Sequence, residues 1–206
     1  MKFSNKFLSL TAVISALLLS SCSAKANTNQ AYLPEAENDT IYTTVGLNDE
    51  LRVSFIDVGQ GDSEFIELPN GETMLIDAGT NETGKNVVDY IKSLGYTSIN
   101  YVVGTHPHED HIGGLPYLLK EVNLPIYATR LTIGLITNKL EEHGLVRSTK
   151  MVEIAPHQKF KLGCFTVEPI HVNHSIPDAV ALAITCPAGT IIQTGDFKID
   201  YTPISG

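Results

Sequence analysis

The sequence predicts an α/β domain, and three observations carry that expectation. Residues 51–79 hold short apolar runs that alternate with polar positions and are parted by turn residues, the pattern of a β-meander. From residue 80 helix-spaced apolar stretches alternate with short buried runs, as in β-α-β units. A dense polar cluster, 105-THPHEDH-111, follows one of those buried runs directly. That position is the exposed carboxyl end of a strand, where α/β sheets place their sites.

Taken in order, 51-LRVSFIDV-58 alternates as a strand and GQGD is a tight turn. The run 64-EFIEL-68 is a second strand, Pro69-Asn70-Gly71 a hairpin turn, and 73-TMLIDAG-79 the return strand. In residues 80–95, Val87, Val88, Ile91 and Leu94 recur at helical spacing, with Gly95 as C-cap. The run 99-INYVVG-104 is a short buried strand. Helical spacing resumes over 112–121, 126-IYAT-129 is a strand, and 131–143 is an amphipathic helix stopped by Gly144. Strands follow at 151-MVEI-154, 164-CFTVEPI-170, 180-VALAITC-186 and 190-TIIQTG-195, the last two joined by Pro187-Ala188-Gly189. No internal repeat or low-complexity tract interrupts the order.

The chain of 206 residues is long enough for one domain with a full core, and 43% of it is hydrophobic. A net charge of −9 argues against nucleic-acid binding driven by charge alone. It leaves room for a site that grips a phosphodiester through metals. Lys2 and Lys6 precede an apolar stretch too short to span a membrane, and 19-LSSC-22 follows. Residues 1–21 are therefore read as a signal peptide of the bacterial lipoprotein type, which it resembles, with Cys22 as the lipidated residue. Residues 22–49 are polar and read as a tether, and residues 50–206 as the globular domain. This N-terminus implies a membrane anchor and the extracellular side. Cys164 and Cys186 either form one disulfide in an oxidising compartment or remain two buried thiols. Neither has metal-site spacing to another cysteine.

His106, His108 and His111 account for three of the chain's seven histidines, with Asp110 among them. Such density is explained by metal ligation, since imidazole nitrogens and carboxylate oxygens are ligand atoms. In an extended loop residues 106 and 108 share a side, and Asp110 and His111 turn toward a second position. The spacing thus suggests two adjacent ions. Asp77, His174 and Asp196 each stand at the exit of an apolar run, where a sheet would converge them on the cluster. A carboxylate at Asp196 is placed to bridge two ions. Bridged metals lower the pKa of a water and stabilise charge on a phosphate or carbonyl.

The stretch 105-THPHEDHIGG-114, with 75-LIDAG-79 upstream and TGD at 194–196, resembles the signature of the metallo-β-lactamase superfamily. The resemblance implies an αββα sandwich and two zinc ions. It assigns His106, His108 and His174 to the first metal, Asp110 and His111 to the second, and Asp196 to the bridge. Asp77 would orient the ligands, and Asp110 and Asp196 would be the catalytic carboxylates. Residues 51–115, through FIDVGQGDS and LPNGETMLIDAG, resemble exported lipoproteins of this fold and the hydrolase domain of the competence DNA-uptake channel. Residues 109–206, through EDHIGGLPYLLKEVNLPIYAT, VNHSIPDAVALAI and TGDFKIDYTP, resemble ribonuclease J of the β-CASP group. That second likeness implies RNA as substrate and a cytoplasmic enzyme with exonuclease and endonuclease activity. The motif at 105–114 is common to both families, so a chimera joined there is one expected origin. Both families carry a further ligand histidine beyond TGD, and none follows His174 here. The expectation is therefore a partial domain, lacking the β-CASP insertion, with exposed apolar edges and an incomplete second metal site.

Three functions follow as alternatives: a phosphodiesterase cutting RNA or DNA, a hydrolase of the same fold acting on an ester, lactone or lactam, and a fragment that binds metal without turnover. Lys198 is a candidate phosphate contact. His171, in a strand three residues before His174, is expected to point the other way. His143 and His157 are expected at a helix end and in a turn, Glu109 facing outward, Asp57 and Asp62 flanking the GQG turn, and Ser175 fixing its loop.

Overall fold

A computed structural model of the protein describes residues 50–201. The expectations for residues 1–21, the lipidation of Cys22 and the tether lie outside the described residues. Among the described residues no helix is long and apolar enough to cross a membrane.

The first sheet has six strands in the order β1 (Arg52–Phe55), β2 (Glu64–Glu67), β3 (Thr73–Ile76), β4 (Tyr101–Val103), β5 (Ile126–Ala128) and β6 (Met151–Glu153). The meander β1–β3 is antiparallel, and β3 to β6 run parallel. Crossovers are α1 (Gly84–Ser93), then α2 (Glu109–Ile112) with α3 (Leu115–Glu121), then α4 (Arg130–Glu142). The second sheet is an antiparallel ribbon of β7 (Phe160–Leu162), β8 (Phe165–His171), β9 (Val180–Cys186) and β10 (Gly189–Gln193).

The strand period of two builds both cores. Phe65, Leu75, Val102 and Ile126 face the helices, where Val87, Ile91, Leu118 and Leu140 meet them. Their neighbours Ile66, Met74, Val103 and Tyr127 face the second sheet and pack on Phe160, Phe165, Val167 and Leu182. The first sheet is thus covered on both faces, as parallel strands require. The layers run helix, sheet, sheet. Among the described residues no helix residue enters the core between the sheets. Phe55 on β1 and Ile192 on β10 are exposed, as are Phe197, Ile199 and Tyr201.

Several boundaries differ from the sequence reading for local reasons. β1 stops at Phe55, and β3 stops at Ile76 because Asp77 takes a left-handed backbone (φ 53°). The helix expected from residue 112 begins at Glu109, with extended His108 as its N-cap, and restarts at Leu115. Gly114 lies at the junction because the backbone packs there: a Cβ would overlap the Ala78 carbonyl. β7 is an added strand, turned into β8 through Gly163 (φ 55°) and Cys164. Cys164 and Cys186 are free thiols.

The meander buries two carboxylates, one on each face of β2, Glu67 on the helix side with Phe65 and Glu64 on the second-sheet side with Ile66. Glu67 accepts the Tyr96 hydroxyl at 2.9 Å. Glu64 accepts the Gln193 amide at 2.7 Å through one oxygen, while its other oxygen has no partner. Burial, the largest influence, pushes Glu64 up to about 8. In the unfolded chain Glu64 ionises near its ordinary value, so folding takes up a proton between pH 4.5 and 8. The resulting penalty is absent in acid and grows as pH rises toward 8. Glu64→Gln is expected to stabilise the protein on the order of 2 kcal/mol at pH 8, roughly 5 °C in Tm, and far less at pH 5. Melting curves of both proteins at the two pH values check this; an equal gain at both would remove proton uptake as the cause.

Candidate metal centre

Four strand exits build the site. Asp77 leaves β3, the segment 104–108 leaves β4, His174 follows β8 and Asp196 follows β10. The Val180 amide donates to the Thr105 carbonyl at 3.1 Å, stitching the second sheet to the β4 exit. The Lys198 amide donates to the Asn173 carbonyl at 2.7 Å, bringing the His174 and Asp196 loops side by side.

Asp77 is fully buried and organises the centre. Its carboxylate accepts the Thr105 amide at 2.9 Å, the Thr105 hydroxyl, and the His111 ring at Nδ1, 2.9 Å away. The Thr105 hydroxyl, having given its proton to Asp77, can only accept from Nδ1 of His106 at 3.0 Å. Both rings are thereby fixed with Nδ1 turned away and Nε2 turned inward. Those two Nε2 atoms, His106 and His111, are buried and without a hydrogen-bond partner.

They face one carboxylate. Asp196 Oδ2 lies 3.6 Å from His111 Nε2, 3.6 Å from His174 Nε2 and 3.9 Å from His106 Nε2. His174 Nε2 is 3.1 Å from His108 Nδ1. Ligand atoms of His106, His108, His174 and Asp196 fall within 4.8 Å of one another, and so do those of Asp62, His111 and Asp196. Unpartnered, buried imidazole nitrogens converging on a carboxylate suit a cation such as zinc and suit little else.

Electrostatics agree with that use. Burial, aided by His111, His174 and His108, pushes His106 down to about 3, so its Nε2 carries a lone pair at neutral pH. Burial would lower His111 too, but hydrogen bonding and charge from Asp77 outweigh it and hold the ring up at about 9. A cation at Nε2 therefore takes the place of a proton. His174 is lowered by burial and by His108, His111 and Lys198, against the pull of Asp196.

The structure gathers His106, His108, His111, His174 and Asp196, with Asp77 behind them. It does not gather Asp110. The expected partner of His111 instead accepts the Gln60 amide at 2.9 Å and belongs to no converging group among the described residues. The cause is α2, which begins at Glu109 and aims Asp110 toward the GQG turn. Burial opposes its ionisation, yet Gln60, its own backbone, His111 and His108 lower its pKa overall. Lys198 pairs with Asp200 at 2.9 Å. His171 ends β8 and is outside the cluster, His143 caps α4, and His157 sits in a loop at φ 64°. Glu109 pairs with Lys139 on the surface. Sequence reasoning missed Thr105 as the link from Asp77 to His106, and left Asp62 as a turn residue. Thr105 directly precedes the first motif histidine, which was its only signal.

Two packed sheets, helices on one side and histidines with carboxylates converging at the strand ends define a metal-centre protein of the α/β sandwich class. The family model for the Metallo-beta-lactamase superfamily matches residues 56–203, and the chain belongs to that superfamily. Ribonuclease J of Helicobacter pylori is 44% identical over 153 residues, covering 70% of this chain and 22% of that protein. Ribonuclease J of Thermus thermophilus is 50% identical over 126 residues, or 58% and 22%. The chain thus spans about a fifth of the length of these relatives. The 153-residue match is longer than residues 109–206 alone, so likeness to ribonuclease J reaches into the first half as well. Among solved structures, a Cronobacter sakazakii metallo-β-lactamase with a HARLDQ motif superposes with a TM-score of 0.58 at 22% identity, covering 74% of this chain and 62% of that one. A subclass B3 metallo-β-lactamase from a soil metagenome library gives 0.53 at 18% identity, covering 67% and 57%. These likenesses are of fold.

Proposed function

We propose that this chain is a metal-dependent hydrolase of phosphodiesters and that RNA is its substrate. The observation that carries the hydrolase reading is the pair of buried, partnerless Nε2 atoms facing Asp196. The identity to proteins named ribonuclease J supports RNA. In this reading His106, His108 and His174 would hold one zinc ion, His111 would serve a second, and Asp196 would be shared by the two positions. Bound zinc would supply an activated water and charge stabilisation on the phosphate. Asp77 and Thr105 hold the two imidazoles so that neither ring must reorient when substrate arrives. Asp196 is the catalytic carboxylate, Asp110 a carboxylate at the rim, and Lys198 a phosphate contact once released from Asp200.

Zinc content after dialysis, followed by assay on 5′-monophosphorylated RNA, tests this. The expected result is bound zinc and RNA cleavage that stops on chelation and in His106→Ala. Zinc binding with intact RNA, across single-stranded and hairpin substrates, would sink the nuclease reading.

A further inference from the structure

We propose that Asp178 is a positioning residue for His174, which it holds in place by fastening the loop that carries this histidine to the first turn of α4. The proposal rests on the metal-centre reading above, in which His174 would hold a zinc ion. His174 lies in the connection 172–179 between β8 and β9, which has no helix or strand of its own. Its side chain is 14% exposed, whereas those of His106 and His111 are wholly buried. Core packing therefore holds His174 less than it holds the others, and the loop must do more. The Val172 amide donates to the Ala179 carbonyl at 3.2 Å and closes the neck of the loop. The Asn173 carbonyl accepts from Lys198 just before the histidine. Neither bond reaches the turn that follows it.

Asp178 holds that turn through two hydrogen bonds to one place. Its Oδ2 accepts the Leu131 amide at 3.1 Å, and its carbonyl accepts the Thr129 hydroxyl at 3.0 Å. Thr129 is the N-cap residue of α4, and Leu131 lies in the first turn. A threonine there ordinarily caps its own helix with its side chain, but Thr129 does not. Its proton goes to the Asp178 carbonyl, so its oxygen accepts from the Thr132 hydroxyl 2.9 Å away. The Leu131 amide has no partner within the helix, and a residue 47 positions on supplies one. Asp178 does so at φ 66°, a left-handed backbone that residues with side chains rarely adopt. Such a conformation persists where surrounding contacts over-determine it.

The anchor is firm and lies against the other half of the centre. Thr129 and Thr132 are buried. Gly104, which leads into His106 and His108, packs on the same junction: a Cβ there would touch Ala128 and Thr132 at 3.5 Å. The entry to α4 is thus a common base for the β4 exit and, through Asp178, for His174. That base keeps His174 Nε2 3.1 Å from His108 Nδ1 and 3.6 Å from Asp196 Oδ2.

Zinc titration of the chelator-stripped full chain by calorimetry, with melting curves of the metal-free protein, tests this on wild type, Asp178→Gly and Asp178→Asn. Glycine removes the carboxylate and accepts the left-handed backbone; asparagine also tolerates that backbone and keeps an oxygen for the Leu131 amide. Asp178→Gly is expected to weaken the tightest zinc about tenfold, and Asp178→Asn to stay within threefold of wild type. A lost helix cap alone lowers Tm and leaves zinc binding where it was. A glycine variant that melts lower yet binds zinc within twofold of wild type therefore overturns the positioning role. Equal weakening by both variants overturns it too, because the accepted hydrogen bond would not be the cause. A second measurement needs no variant and stands where Asp178→Gly fails to fold. Coupling is reciprocal, so zinc should slow hydrogen exchange at the Leu131 amide of wild type about tenfold. An unchanged exchange rate on zinc binding overturns the inference while the metal centre stands. Wild type that binds no zinc overturns both this inference and the proposed function.

Discussion

Asp196→Asn is expected to lower kcat/KM on RNA about 10³-fold, close to 4 kcal/mol of transition-state stabilisation. The reason is geometric. One carboxylate oxygen stands 3.6 to 3.9 Å from three separate Nε2 atoms, contributed by the exits of β4, α2 and β8. Asparagine keeps the shape, yet it removes the negative charge that offsets the cations and turns half of the head group into a donor. At such separations in a partly shielded site the lost attraction amounts to several kcal/mol. Stability should respond differently. The Asp196 side chain is 44% exposed and its neighbours are imidazoles, so the metal-free variant should melt within about 2 °C of wild type. Comparing kcat/KM, bound zinc and the metal-free Tm separates the two effects. Activity within tenfold of wild type would show that Asp196 does not stand between the ions.

Several parts of this arrangement were legible in the sequence because they follow from local rules. Strand β9 is read to the residue, since its apolar run is long and its far end is marked by the turn at Pro187. His106 and His108 share a side because extended chain alternates, and His171 stays out of the cluster for the same reason. The left-out parts depend on contacts between distant segments. Three residues of β7 carry too little pattern to stand out, and their pairing with β8 is what makes them a strand. Glu64 and Glu67 are carboxylates on opposite faces of a strand whose burial no local pattern marks; β1 and β3 flank it, and the helices and second sheet cover its faces. Asp110 lies inside the motif and Asp62 lies far from it in sequence. Their roles turn on the start of α2 at Glu109 and on the packing of Gly61 against it, which no periodicity encodes. The motif marks where the ligands are.

Asp77→Asn should be the most damaging substitution for stability, at about 3–5 kcal/mol or roughly 10 °C in Tm in the metal-free protein near pH 6. Both Asp77 and His111 are wholly buried and 2.9 Å apart. Burial alone would strip the proton from His111; the Asp77 hydrogen bond and charge keep it on, up to about 9. Removing the carboxylate leaves an imidazolium with no counter-charge, or a neutral ring that has lost its partner. The pH dependence follows from the sign. His111 in the unfolded chain releases its proton near pH 6.5, so the stability gained from the pair is complete below that value and is lost as pH rises through about 9. The gap between wild type and Asp77→Asn should therefore be widest at pH 6 and close in alkali. Imidazole resonances report the cause directly: His111 should titrate near pH 9 in wild type and below pH 6.5 in the variant, where burial is unopposed. Zinc should partly rescue the variant, because a cation at Nε2 restores a reason for the ring to stay in place. A variant that melts like wild type at pH 6, with His111 still titrating near pH 9, would mean that Thr105 and the surrounding backbone position the ring without Asp77.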